Sequence, residues 1–223
     1  MKALCAVLGM AFVLAFVVPQ PAGAQEVEKE AKKVVETKKP EKSKAAVDSA
    51  AVIEVEYDGK PLGSIVFKFF PDLAPNHVAN FRKLANQGFY DGIAFHRVIA
   101  DFMIQAGDPN TKDDDRSNDG YGGPGYTIKA EFSKKTHKRG IVSMARGTDP
   151  NSAGSQFFIV TKDSPHLDGD YSVFGEVIQG MDVVDKIEGV QVDPKKKNPL
   201  KKVVMTDVSI VPLDSVTKAK GKK

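Results

Sequence analysis

The chain has 223 residues, 41% of them hydrophobic and 27% charged, with one Cys, no Trp and a formal net charge of +3. That apolar share can fill a buried core, which excludes a wholly disordered or collagen-like chain, and the length suits one domain with appendages. The charge is uneven. Residues 25–49 hold seven Lys against five Glu and Asp48, and residues 213–223 hold four Lys against Asp214. Residues 50–212 carry 20 Lys and Arg against 22 Asp and Glu, a net of −2. The basic excess belongs to the tails, which argues against nucleic-acid binding, since such a protein would carry basic charge on its folded domain.

In chain order, Met1-Lys2 precedes an uncharged apolar run over residues 3–18. As a helix that run would span about 24 Å, short of the roughly 30 Å hydrocarbon core of a bilayer. Pro19 breaks it, and Ala22-Gly23-Ala24 supplies the small residues a signal peptidase accepts. Residues 1–24 therefore read as a cleaved secretory signal, cut after Ala24, of an exported, periplasmic protein with no stable membrane insertion. Cleavage removes Cys5, the only cysteine, so disulfides, thiol catalysis and zinc–thiolate binding are closed to the exported chain. Residues 25–49, rich in Lys, Glu and Ala and free of aromatics, read as a flexible linker, and residues 213–223 as a basic flexible tail.

Between them lies residues 50–212, the one predicted domain, and its pattern is mostly β. Residues 51–57 alternate, Asp58-Gly59 turns, and residues 62–70 are apolar and β-branched, the signature of a hairpin. Pro75 opens a predicted helix with Val78, Phe81, Leu84 and Ala85 on one stripe and Gly88 as its stop. Short strands are predicted at 94–99, 102–105, 140–144, 156–161 and near 172–177, a second helix at 181–187 and a last strand at 203–211. Many short strands with two helices suggest a closed antiparallel β-barrel capped by two α-helices.

Three segments are richer in unusual side chains than strands require. Residues 95–108 read FHRVIADFMIQAGD, residues 154–160 GSQFFIV, and residues 166–175 HLDGDYSVFG. Strand alternation puts Met103 and Gln105 on one face and Gln156 with Phe158 on one face, while Phe157 and Ile159 point to the core. Phe102 falls opposite Met103 unless a turn at Ala100-Asp101 reorients it. On periodicity alone Phe102, Met103 and Phe158 read as core, and Arg97 as an edge-strand surface residue. His96 reads as a buried structural histidine, and His77 and His137 as surface residues.

Several other chemistries find no support. Asp113-Asp114-Asp115 lacks the spacing of a calcium loop and reads as a solvated loop. The glycine-rich stretch Gly120 to Gly125 has no following Gly-Lys-Ser/Thr to cradle phosphate. Ser143 and Ser155 have no nucleophile elbow and no evident His and Asp partners.

With LDGDYSVFGEVIQGMDVVDKI and GFYDGIAFHRVI, these segments resemble the cyclophilins, the peptidyl-prolyl cis-trans isomerases, over residues 50–212. The resemblance implies a mainly β fold, an eight-stranded antiparallel barrel capped by two helices, and a monomer that needs no metal or cofactor. It implies Arg97 and Gln105 as catalytic residues. Phe102, Met103, Gly120, Ala145, Arg146, Gln156, Phe158, His166, Leu167 and Tyr171 match its substrate-binding positions. Arg146 stands where eukaryotic members usually have Asn, His166 where many have Trp, and Tyr171 where they have His. The change at His166 implies weak cyclosporin binding. Near Gly147 and Thr148 the chain is one residue longer than the common eukaryotic pattern, and the next groove position is left unassigned.

The residue types suit the reaction. Rotation about an X–Pro bond faces a barrier of about 18–20 kcal/mol and breaks no bond, so an apolar cup for the ring and a fixed cation at the twisting amide suffice. The expectation is an isomerase acting on proline-containing polypeptide clients. The alternative is a proline-peptide-binding chaperone or scaffold module without significant turnover.

Overall fold

In the computed structural model, which describes residues 48–218, the alternation at the start of the domain becomes strand β1 (Ser49–Tyr57). The expected signal peptide, most of the linker and the end of the basic tail lie outside the described residues. Ala51, Ile53 and Val55 of β1 face the interior. Asp58 and Gly59 both take positive φ, 53° and 75°, which fits the tight turn into β2 (Lys60–Phe69). Helix α1 (Pro75–Asn86) follows, with Pro75 in its first turn and Val78, Phe81, Leu84 and Ala85 buried along one face. The remaining elements are β3 (Arg97–Ile99), β4 (Met103–Ala106), β5 (Ile141–Met144), β6 (Phe157–Val160), β7 (Val173–Gln179), α2 (Met181–Glu188), β8 (Val203–Pro212) and α3 (Leu213–Thr217).

The strands form one antiparallel sheet in the order β3-β4-β6-β5-β7-β2-β1-β8. Its two ends meet. The segment entering β3 bonds to β8 through Gly92 N–H to Met205 O, Met205 N–H to Ile93 O and Phe95 N–H to Val203 O, each 2.8 Å. Ala94 and Val204 pair between them, so the sheet curls on itself as a barrel. This closure shortens the strand expected at 94–99, because its first residues spend their hydrogen bonds on β8.

Strand alternation divides the apolar residues into two layers. Ile104, Ala106, Val142, Met144, Phe157 and Ile159 join the interior cluster, where the Phe81 ring lies 4.7 to 5.6 Å from those of Tyr90, Phe67, Phe157 and Phe174. Met103, Ile141, Phe158 and Val160 point the other way and build a smaller cluster with Leu167 and Val173 on the outer face. Phe102, Ala145 and Tyr171 pack against this second layer.

Three features depart from the sequence expectations. A third, short helix occupies residues 213–217 of the expected tail, where Leu213 N–H binds the Asp48 carbonyl at 2.9 Å. His77 is wholly buried, not on the surface. Its Nδ1 lies 2.7 Å from Glu131, whose carboxylate also accepts from the Asn76 and His77 amides at 3.0–3.1 Å. Ala74 has no side-chain acceptor to cap α1, and the Glu131 carboxylate, 54 residues beyond His77, satisfies these free amides instead. His137 is the third departure and belongs to the site.

Candidate active site

β3 and β4 form a hairpin whose register sets Arg97 opposite Gln105 and Ile99 opposite Met103. Asp101 takes a left-handed φ of 57° in the connecting turn, and the Phe102 amide returns to the Ile99 carbonyl at 3.2 Å. That turn swings the Phe102 side chain to the Met103 side, away from the face that strand alternation alone would give it. Glu188 at the end of α2 fixes the turn, accepting from the Asp101 amide at 2.8 Å and from the Thr161 hydroxyl just after β6 at 2.6 Å.

β6 lies beside β4 with Gln105 opposite Phe158. Arg97, Phe102, Met103, Gln105, Ala145, Arg146, Phe158, Leu167 and Tyr171 together line a cavity of about 130 Å³ on the outer face. Phe102, Met103, Phe158 and Leu167 supply apolar walls, and the Tyr171 ring stands edge-on to Phe158 at 5.5 Å between centroids. His166 stands outside this cavity, its ring 5.2 Å from that of Phe102.

A relay of side-chain hydrogen bonds holds the polar wall. Arg97 Nη1 donates to Gln105 Oε1 at 3.2 Å, Gln105 Nε2 to Gln156 Oε1 at 2.9 Å, and Gln156 Nε2 to the carbonyls of Gly120 and Gly122 at 3.0 and 2.9 Å. Each amide is thereby oriented, because its oxygen accepts from one neighbour and its nitrogen donates to the next. Gly120 and Gln156 line an adjoining groove of about 730 Å³, bounded by residues 120–127, 145–147, 152 and 154–156 with Gln105. Arg146 lines both cavities.

The glycine loop has its own support. The buried Asp108 carboxylate accepts from the Gly120 and Asn110 amides. A Cβ at Gly122 would collide with the side chains of Asp108 and Asn110, so glycine is required there by close approach. Asp108 thus sets the loop whose carbonyls anchor the relay. Sequence reasoning missed it, since Gly-Asp opening a short turn carries no sign of a partner twelve residues on.

Behind the apolar wall sits His137, 1% exposed, against the expectation of a surface residue. Its Nδ1 lies 2.9 Å from Asp168, and its Nε2 lies 3.1 Å from the hydroxyl of Ser143, which is itself wholly buried. The expectation that Ser143 lacks a His and Asp pairing is therefore corrected. Burial pulls the His137 pKa below its usual value, against the opposing pull of Asp168. The neutral ring donates from Nδ1 to the carboxylate and accepts from Ser143 at Nε2. With Ser143 sealed from solvent, this chain is scaffolding: Asp168 follows Leu167, and the His137 ring stacks near Phe158 at 6.2 Å. His96, next to Arg97, is buried as expected, and among the described residues neither ring nitrogen has a partner of good hydrogen-bond geometry. Desolvation lowers its pKa to about 4, with Asp108 opposing and Arg97 assisting.

Comparison with known proteins places this geometry. Residues 52–210 match the family model described as cyclophilin type peptidyl-prolyl cis-trans isomerase/CLD. The chain belongs to the cyclophilin-type peptidyl-prolyl cis-trans isomerases. It is 50% identical over 131 residues to a Brucella abortus protein named a probable peptidyl-prolyl cis-trans isomerase, covering 56% of this chain and 67% of that one. It is 49% identical over 120 residues to peptidyl-prolyl cis-trans isomerase B of Bacillus subtilis, covering 53% and 78%. Its fold matches a crystal structure of a Cryptosporidium parvum cyclophilin in the presence of the dipeptide Ala-Pro. That match has TM-score 0.64 and 31% identity over 73% of this chain and 98% of that one. The cyclophilin barrel therefore carries the cavity on its outer face and the packed core inside. Among the described residues no helix is long and apolar enough to cross a membrane, and no group of three or more His, Cys, Asp or Glu could hold a metal ion.

Proposed function

We propose that this cyclophilin accelerates X–Pro rotation in exported polypeptides by a non-covalent mechanism centred on Arg97. The observation that carries the reading is a guanidinium sharing one small cavity with Phe102, Met103 and Phe158 while Gln105 holds one of its nitrogens. The apolar cup formed with Leu167 grips the proline ring. The free donors of Arg97 bind the prolyl carbonyl and favour a pyramidal prolyl nitrogen, whose lone pair has left amide resonance. Arg97 is suited to this because its planar fork stays charged and the relay through Gln105 and Gln156 fixes its aim before substrate arrives. Lowering the barrier by about 7 kcal/mol gives roughly a 10⁵-fold acceleration, within reach of preorganised electrostatics and positioning. The Ala-Pro dipeptide named with the Cryptosporidium relative supports a proline-sized occupant. Export rests on the leader-like residues 1–24, and weak cyclosporin affinity on His166.

NMR exchange spectroscopy on a Pro peptide tests the mechanism. Wild type should broaden or cross-link the cis and trans signals, and Arg97→Ala should lose about 10²–10³-fold in exchange rate while still binding peptide. Equal exchange in wild type and variant, with both binding peptide, would leave a proline-binding module in place of this mechanism.

A further inference from the structure

The cavity and the groove beside it hold two guanidinium groups and no carboxylate. Arg97 and Arg146 are the charged side chains of the cavity, and the adjoining groove adds only Arg146, which it shares. Arg146 is held between the two by neutral partners. Its Nε donates to the Asp170 carbonyl at 3.0 Å, its Nη1 to the Gly147 carbonyl at 2.9 Å, and its guanidinium carbon lies 4.8 Å from the centre of the Tyr171 ring. Among the described residues Arg97 likewise hydrogen-bonds only the Gln105 amide. Arg139, elsewhere on the surface, shows the contrast: it pairs with Asp185 at 2.8 Å. Among the described residues no carboxylate pairs with Arg97 or Arg146. Asp108, beneath the glycine loop, is buried and engaged by backbone amides.

Two like charges in one concavity, neither paired with a carboxylate among the described residues, create a positive potential that a concave wall concentrates. Carbonyl bonds and ring stacking fix where the Arg146 charge stands, so less side-chain entropy is lost when a ligand meets it. A proline seated in the cup must send one neighbour past Arg146 into the groove bounded by residues 120–127. We propose that Arg146 makes the site selective for proline segments whose residue on that side is Asp or Glu, and rejects Lys and Arg there. This rests on the isomerase reading above and names the substrate class of the same site.

The test measures kcat/KM on peptides Ala-Xaa-Pro-Phe and Ala-Ala-Pro-Xaa, with Xaa as Glu, Gln or Lys. At one of the two positions Glu should exceed Lys by about tenfold, with Gln between, since attraction and repulsion of partly exposed charges add. At about 0.5 M salt the ratio should shrink. Arg146→Gln should cut it to about twofold, the remainder belonging to Arg97, while Arg146→Lys should retain most of it. Equal rates for Glu, Gln and Lys at both positions, or a ratio unmoved in Arg146→Gln, would overturn the proposal. Loss of turnover on every peptide would instead remove the isomerase reading. The Glu and Lys peptides would then be titrated for binding by NMR, where equal affinities overturn the charge preference and a tenfold difference upholds it.

Discussion

The two faces of β4, β5 and β6 are made from the same few residues and serve opposite ends. Inward, Ile104, Ala106, Val142, Met144, Phe157 and Ile159 join an apolar cluster with residues of α1, α2, the other strands and the loops between them. Outward, Met103, Phe158 and Val160 share their surface with Gln105, Ser143 and, through the hairpin, Arg97. The inner face is satisfied by packing. The outer face needs a hydrogen-bonded frame, the relay to the glycine loop on one side and the Asp168–His137–Ser143 chain on the other. The difference teaches that a period of two, set by strand geometry, lets the same three strands stabilise the fold and hold a site at once.

The sharpest way to break this comparison is to delete one ring from each face. Phe157→Ala should destabilise the protein by about 3–5 kcal/mol in urea unfolding, the cost of a buried cavity in the interior. Phe158→Ala opens onto an existing concavity, so it should cost less stability and far more turnover. Equal losses of stability with equal turnover would erase the distinction between the faces.

A second measurement follows from His96, beneath Arg97. Its folded pKa of about 4 lies below the unfolded 6.5, so the unfolded chain binds the proton first as pH falls. The stability this histidine confers is full above pH 6.5 and is lost progressively between about pH 6.5 and 4. It amounts to about 3 kcal/mol once both limits are passed. Urea titrations at pH 7, 5.5 and 4.5 should show the decline, and His96→Gln should flatten it. An unchanged slope in the variant would assign the acid sensitivity to other groups.

The smallest effect concerns the outer frame. His137→Leu removes the bridge between Asp168 and Ser143 and should cost about 1–2 kcal/mol, since both are left short of a partner. As a positioning residue its loss should raise KM more than it lowers kcat, because the shape of the wall changes and the cation does not. A fall in kcat alone would contradict that role.

Much of this layout was legible in the sequence. Alternation in GSQFFIV assigned Phe157 and Ile159 to the interior, and β6 places them there. The turn at Ala100-Asp101 was visible as a point where alternation could fail, and Asp101 with its positive φ is where it does. The frame was not legible. His137 and Asp168 are 31 residues apart, and His77 and Glu131 are 54 apart. Lone polar residues in loops carry no period, and only barrel closure decides which of them meet. The resemblance to the cyclophilins assigns Arg146 to the groove, but its bonds to Asp170 and Gly147, which fix its charge between two cavities, arise from loop geometry alone.

The bonds that join residues 92–95 to β8 have a further consequence. An open sheet would present a row of free amides and carbonyls, and an extended stranger could add itself as a ninth strand. Here the seam is stitched shut. Among the described residues the sheet therefore leaves no open edge between β3 and β8 along which an extended polypeptide could polymerise.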